Sequence, residues 1–294
     1  MQNAPEYSTP FSPLTGSWPG REPLTLSDGY ATGLFHHKPT EPASLLPVLY
    51  LHGIQSHPGW FFASSTSLAD AGHDVFQVAR RGSGANLVDK GHARSAGQLL
   101  DDVQTAVRFV LDRTGAEQVA LVGVSWGGKL ASAYCAARDT SEIASLTLIA
   151  PGIAARVDVS TATKIKIASC LLAAPKTQVT IPLDDPELFT DNELMRQFLR
   201  DDKLSLRKAS VRFMYASRRL EQMISRAPQG SIKIPTTLIL SDDDSIIDSP
   251  AVAEIIRRLT AQSAEIISLN GKHTLEFEED PNEFHKTLRN ACAK

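Results

Sequence analysis

The most constraining stretch of the chain is Gln118 to Tyr134, QVALVGVSWGGKLASAY. An apolar run from Val119 to Val124 ends in Gly123-Val124-Ser125-Trp126-Gly127, then Gly128, after which Leu130, Ala133 and Tyr134 begin a helical pattern. Strand, Gly-x-Ser-x-Gly turn and helix together read as a nucleophile elbow. A serine on so sharp a turn has a backbone that only small neighbours tolerate, hence a glycine two positions away on each side. The turn lifts the hydroxyl clear of the sheet. The helix that follows points its N-terminal N–H groups and positive dipole end at any oxyanion formed there. The pentapeptide alone is weak, because chance supplies it in roughly one chain of this length in ten. Its context favours the elbow over a Gly/Ser turn closing a buried strand, since Gly127, Gly128 and Ala131 let the helix lie close to the sheet.

At 294 residues the natural count is one large α/β domain, or one with an inserted subdomain. A net charge of −3 with 21% charged residues gives no sign of a nucleic-acid partner or a polybasic membrane anchor. No apolar run approaches the ~18 residues of a membrane span, so no integral membrane segment is expected. Cys135, Cys170 and Cys292 are scattered and odd in number, which suits reduced thiols in a reducing, cytoplasmic setting. No basic residue precedes Arg21 and no apolar core of a leader is present, so no secretory signal is expected. Oligomeric state leaves no mark.

Along the chain, residues 1–20 carry Pro5, Pro10, Pro13 and Pro19 and read as a tail or surface arm. Leu24 to Phe35 forms a hairpin around Ser27-Asp28-Gly29. Strands follow at Leu45–Leu51, Asp74–Ala79, Val119–Val124 and Ser145–Ala150, with helices between them at Trp60–Ala71 and after the capping box Ser95-Ala96-Gly97-Gln98. This alternation calls for a mostly parallel sheet with helices on both faces. It breaks after Pro151. About 80 residues pass before the next strand, Thr236–Leu240, too many for a loop in a compact domain. Residues 153–233 are therefore read as an inserted helical cap, with an amphipathic helix from about Leu206 to Ile224, on a core of residues 21–152 and 234–294. A helix capped by Ser249 with Pro250 at its first position, a strand at Ala264–Leu269 and a helix opened by Asp280-Pro281-Asn282-Glu283 complete the core.

A serine nucleophile needs a base, and the base an orienting acid. The strand Thr236–Leu240 runs into Ser241-Asp242-Asp243-Asp244-Ser245-Ile246-Ile247-Asp248, and Ala264–Leu269 into Asn270-Gly271-Lys272-His273. Serine, acid and histidine thus occur in one order, each just after a strand, a far more specific conjunction than the elbow. His273 is the candidate base. His36, His37, His73, His92 and His285 fall on surface or helix positions. Asp244 is the preferred acid, because its place leaves Ile246 and Ile247 to re-enter the core; Asp242 and Asp243 remain as helpers or solvated groups, and Asp248 as a helix cap. The oxyanion hole should use the backbone N–H of Trp126 and that of Ile54 in the loop His52-Gly53-Ile54-Gln55. His52 braces that loop, and Arg80 and Arg81 are taken as solvated. Metal-ligand spacings and phosphate-binding glycine loops are absent, so neither metal nor cofactor is expected.

His52-Gly53, Arg81-Gly82-Ser83-Gly84, Gly123 to Gly128, Asp201-Asp202, Asp244 and His273 resemble the α/β-hydrolase superfamily, and within it the monoglyceride lipases and lysophospholipase-like serine hydrolases. The resemblance spans about residues 40–290. It implies hydrolysis of a small-molecule acyl ester, a monoacylglycerol, lysophospholipid or similar, under a helical cap. Val124, Trp126 and the loop Ile54-Gln55-Ser56-His57 depart from the family's usual residues, and they line the pocket. Ser-Trp-Gly is also similar to prolyl aminopeptidases, although their His-Gly-Gly-Pro-Gly loop is missing here. Dehalogenases and epoxide hydrolases would need Asp at Ser125. A hydrolase fold kept as a ligand receptor is the remaining alternative, against which the complete Ser, Asp and His set argues.

Overall fold

The structure, a computed structural model, describes residues 6–13 and 16–294. Residues 1–5 and 14–15 of the expected tail lie outside the described residues. Of the rest of that segment, Tyr7 and Trp18 pack tilted on Phe62, with ring centroids 5.2 and 5.1 Å away, and Phe11 meets Phe277. The described part of the segment is thus an arm laid on the core.

In chain order the elements are β1 (Arg21–Thr25), β2 (Ala31–His37), β3 (Val48–Leu51), α1 (Phe62–Asp70), β4 (Val75–Ala79), α2 (Ala96–Thr114), β5 (Val119–Val124), α3 (Trp126–Ala137) and β6 (Ile143–Ile149). Then come α4 (Thr161–Ala173), β7 (Gln178–Thr180), α5 (Glu193–Asp201), β8 (Lys208–Ser210) and α6 (Val211–Arg226). The chain closes with β9 (Thr236–Ser241), α7 (Ser249–Leu259), β10 (Glu265–Leu269) and α8 (Asn282–Cys292). Eight strands form one sheet in the order β1-β2-β4-β3-β5-β6-β9-β10, while β7 and β8 make a separate two-stranded ribbon. β1–β2 and β2–β4 are antiparallel, and every later pairing in the large sheet is parallel. The runs VLYL in β3 and VALVGV in β5 are buried at every position, as strands covered on both faces must be. α2 and α3 pack side by side on one face, and α1 and α8 on the other.

The register brings the strand ends that carry chemistry to one edge. Leu51 pairs with Gly123, Val124 with Ile149, Ile149 with Ile239, and Ser241 with Leu269. The segments after β3, β5, β6, β9 and β10 therefore leave the sheet together.

Several local expectations shift. The helix expected from Leu206 begins at Val211, because Lys208–Ser210 pairs with β7 and Ser210 Oγ caps the helix by accepting from Phe213 N at 3.1 Å. Asp248, not Ser249, caps α7, accepting from Ala251 N at 3.1 Å. Ser95 caps α2 as expected, accepting from Gln98 N, but Gln98 reaches back to Arg94 N at 2.7 Å and not to Ser95 N.

Histidine placement also differs. His36, His37, His73 and His92 are buried, not on the surface. Each is bound to a neighbour: His36 to Asp74, His37 to Gln77, His73 to Leu46 O and His92 to Ser210. Such histidines carry an apolar body with a satisfied ring nitrogen, so sequence polarity misreads their depth.

Candidate active site

Ser125 sits between β5 and α3 with φ +52° and ψ −118°, a region that L-residues avoid. Such a backbone costs about 1–3 kcal/mol and persists only where its surroundings over-determine it. Here Ser125 N donates to Ile149 O at 2.8 Å, while Ser125 O accepts from Gly152 N at 2.8 Å and Lys129 N at 3.1 Å. The flanking glycines are required sterically. A Cβ on Gly123 would lie 2.7 Å from Gly127 O and 2.8 Å from Gly128 Cα, and one on Gly127 would strike Leu51 O.

The turn aims the hydroxyl at His273, whose Nε2 lies 2.9 Å from Ser125 Oγ. The other ring nitrogen, Nδ1, is 2.7 Å from Asp244 Oδ2. Asp244 Oδ1 accepts from the N–H groups of Ile246 at 2.8 Å and Ile247 at 3.0 Å, and both isoleucines are buried. Burial alone would raise the Asp244 carboxyl; the imidazole beside it and the two N–H donors outweigh that and hold it below the ordinary value. It is thus ionised at neutral pH and accepts from Nδ1–H, which leaves Nε2 free to take the proton of Ser125. The competing carboxylates do not reach the ring. Asp242 Oδ1 accepts from Gly271 N, and Asp243 is 69% exposed and 3.6 Å from Lys272 Nζ.

Trp126 opens α3, so its N–H is among the four at a helix start without an intrahelical partner. The Gly53-Ile54 loop abuts the serine: a Cβ on Gly53 would stand 3.4 Å from Ser125 Cβ. His52 braces that loop, Nδ1 bonding Gly53 O at 2.9 Å and Nε2 accepting from Arg80 N at 3.1 Å. Burial lowers the His52 pKa well below the ordinary value, so the ring is neutral.

Ser125, Trp126 and Ile54 line a cavity of about 630 Å³ between the strand-end segments and residues 153–233. Ile153, Val157, Ile181, Leu183, Ile167 and Met214 form its apolar wall. Elsewhere in residues 153–233, Phe213 and Leu220 are buried in packing, while Ile165 and Leu172 face solvent at 65% and 90% exposure. The cavity also has a charged rim, which no local sequence pattern marks. Lys129, one turn beyond Ser125 on α3, lies 2.5 Å from Glu221 on α6; Arg218 holds the same carboxylate at 2.6 Å, and Lys164 pairs with Asp158 at 2.6 Å. Among the described residues no three His, Cys, Asp or Glu side chains gather as metal ligands would.

Two further features escaped sequence reasoning. Arg80 and Arg81 are buried, not solvated. His57, in the loop after β3, bonds Asp202 Oδ2 at 3.0 Å, an oxygen that also accepts from Trp60 Nε1 and Ser205 Oγ, both at 2.8 Å. This buried group ties the segment between β6 and β9 to the loop after β3.

Three residues beyond His273, Glu276 is buried and accepts from Ser64 N on α1 at 2.7 Å. Burial pushes its carboxyl up from 4.5 to about 8. A folded-state pKa above the unfolded one means that the native state holds the proton more tightly. The resulting stability is full below the unfolded value and is lost as pH rises through the folded one. Between about pH 5 and about pH 9 the melting temperature should therefore fall more steeply in the natural protein than in Glu276→Gln, by several degrees. Parallel thermal scans check this, and identical pH slopes would contradict it.

Fold and site define a serine hydrolase with the α/β-hydrolase architecture. The profile of the family described as serine aminopeptidase, S33, matches residues 45–280, and the chain belongs to that family. It is similar to phospholipase YtpA of Bacillus subtilis, 23% identical over 205 residues that cover 70% of this chain and 78% of that one. In structure it is similar to a monoglyceride lipase of Saccharomyces cerevisiae, with a TM-score of 0.83, 19% identity, and 98% and 100% of the two chains covered. It is also similar to a monoacylglycerol lipase of Paleococcus ferrophilus, with a TM-score of 0.75, 20% identity and 87% and 97% covered. Among the described residues no helix is long and apolar enough to cross a membrane.

Proposed function

We propose that this chain hydrolyses carboxylic esters of the monoacylglycerol or lysophospholipid kind through an acyl-enzyme. Ser125 attacks the ester carbonyl and His273 takes its proton, then gives it to the leaving alcohol. Water, activated by the same histidine, releases the acid. Asp244 holds the ring, and the N–H groups of Ile54 and Trp126 receive the oxyanion. Residues 153–233 act as a cap over the site. The observation that carries the reading is the hydrogen-bonded run Ser125–His273–Asp244 opening into a largely apolar cavity large enough for an acyl chain. The names of the relatives, a phospholipase and two monoglyceride lipases, point the same way.

The family's description favours a second reading, an aminopeptidase. That activity needs a carboxylate free to hold a substrate ammonium. Glu221 and Asp158 reach the cavity, but Lys129, Arg218 and Lys164 already neutralise them. Asp184, Asp185, Glu187 and Asp191 are exposed and do not line it.

The two readings predict different substrates. Each methylene taken from water into the apolar wall contributes about 0.8 kcal/mol, so kcat/KM should climb from acetyl to medium-chain p-nitrophenyl esters until the slot is full. Aminoacyl anilides should be poor substrates. Efficient cleavage of prolyl or other aminoacyl anilides, with no gain along the ester series, would overturn the ester reading in favour of the peptidase. No serine-dependent turnover at all, and no labelling by a fluorophosphonate, would favour a receptor.

A further inference from the structure

Arg80 follows the last residue of β4 and is 8% exposed. Its neighbour Arg81 meets carboxylates, Asp102 at 2.5 and 2.6 Å and Asp28 at 3.0 Å. Arg80 does not. Among the described residues its guanidinium bonds backbone carbonyls alone, Nη2 to Ile54 O at 2.8 Å and Nη1 to Arg81 O at 3.4 Å. The guanidinium carbon lies 4.9 Å from the centre of the Trp126 ring and 5.0 Å from that of Phe213, and those two rings stack at 5.2 Å. Burial lowers its pKa to about 10, so it keeps its charge at neutral pH. A buried cation without a counter-anion is costly unless something compensates it. Here a carbonyl dipole and two aromatic rings do so. The carbonyl belongs to Ile54 and one of the rings to Trp126, the two residues whose N–H groups make the oxyanion hole in the ester-hydrolase reading.

Resting on that reading, we propose that Arg80 is the positioning residue of the oxyanion hole, one guanidinium fixing both donors and supplying the counter-charge of the oxyanion. The donor N–H of Ile54 belongs to the Gly53–Ile54 peptide. The carbonyl of that peptide, Gly53 O, accepts from His52 Nδ1, and His52 Nε2 accepts from the backbone N–H of Arg80 itself. The carbonyl on the other side, Ile54 O, is held by the Arg80 side chain. With both carbonyls tied, the peptide plane cannot rotate its N–H away from Ser125. The bond to Gly53 O also polarises that N–H, as linked hydrogen bonds do. On the other side the ring contact steadies Trp126, whose Nε1 donates to Ser217 Oγ at 2.9 Å. Donors fixed beforehand need no reorganisation when charge develops, which is where such groups lower the barrier. Among the residues described, Arg80 is not one that lines the large cavity, so its effect should fall on the transition state and leave the bound ester unaffected.

The test compares the natural enzyme with Arg80→Met, which keeps length without charge or fork, and Arg80→Lys, which keeps charge without the fork. Three quantities are read: turnover of a medium-chain p-nitrophenyl ester, binding of a trifluoromethyl ketone with the same chain, and binding of the matching alkyl ether. Ser125 Oγ adds to the ketone carbon and its proton passes to His273, leaving a hemiketal oxyanion in the hole; the ether forms no such adduct. In Arg80→Met kcat should fall about 30- to 100-fold with KM within about threefold, and the ketone should weaken in proportion while the ether does not. Arg80→Lys should fall between. Added guanidinium ion should restore part of the activity of Arg80→Ala, and equal potassium should not. Equal weakening of ketone and ether would overturn the proposal, since it would make Arg80 a wall support acting through Phe213. So would unchanged ketone binding and turnover in folded variants. If Arg80→Met does not fold, the ketone-to-ether ratio of Arg80→Lys decides. That ratio reads the clamp even on an enzyme that hydrolyses no ester, so the two proposals fail separately.

Discussion

Replacing Ser125 by alanine is expected to lower ester turnover by roughly four to six orders of magnitude while the fold stands. The substitution removes only Oγ, the atom 2.9 Å from His273 Nε2. Alanine meets the same strained φ of +52°, and the backbone bonds to Ile149, Gly152 and Lys129 that hold the turn do not involve the side chain. The melting temperature and the affinity for a non-hydrolysable ether should therefore stay close to those of the natural protein. A loss this large follows from nucleophile, base and acid acting as a unit. Near-normal esterase activity in a folded Ser125→Ala protein would remove Ser125 from the mechanism.

The second large effect is expected at Asp244. Asp244→Asn should cost about four orders of magnitude in kcat, and Asp242→Asn and Asp243→Asn little. The geometry gives the reason. The N–H groups of Ile246 and Ile247 both point at Oδ1, so an asparagine here keeps its oxygen on them and turns its NH2 toward His273 Nδ1. Nδ1 then has to accept, the ring proton moves to Nε2, and the base can no longer take the proton of Ser125. Kinetics of the three variants on one ester check this. Equal losses would assign the effect to the loop as a whole, and a large loss at Asp242 or Asp243 alone would move the role there.

How much of this was legible in the sequence depends on how local each constraint is. The elbow was legible because part of its strain is local: Gly123 is forced by Gly127 and Gly128 a few residues on, whereas Gly127 is forced by Leu51, which the sheet brings alongside. The order of Ser125, Asp244 and His273 was legible because each follows a strand of a sheet whose register aligns those strand ends. What was missed depends on partners distant in sequence. Arg80 looks like a surface cation until Trp126 and Phe213 are folded onto it. His57 meets Asp202 across 145 residues, and Lys129 meets Glu221 across 92. Nothing in the local pattern at either end marks such a pair. The start of α6 was misjudged for a related reason, since Lys208–Ser210 becomes a strand only by pairing with Gln178–Thr180.

The central claim is that Ser125 carries the acyl group. Its most direct test is to quench the protein during hydrolysis of a medium-chain p-nitrophenyl ester and locate the acyl mass by peptide mass spectrometry. The account predicts one acylated site, Ser125, absent from Ser125→Ala. Acyl mass on another residue, or turnover that persists while Ser125 is never acylated, would contradict it.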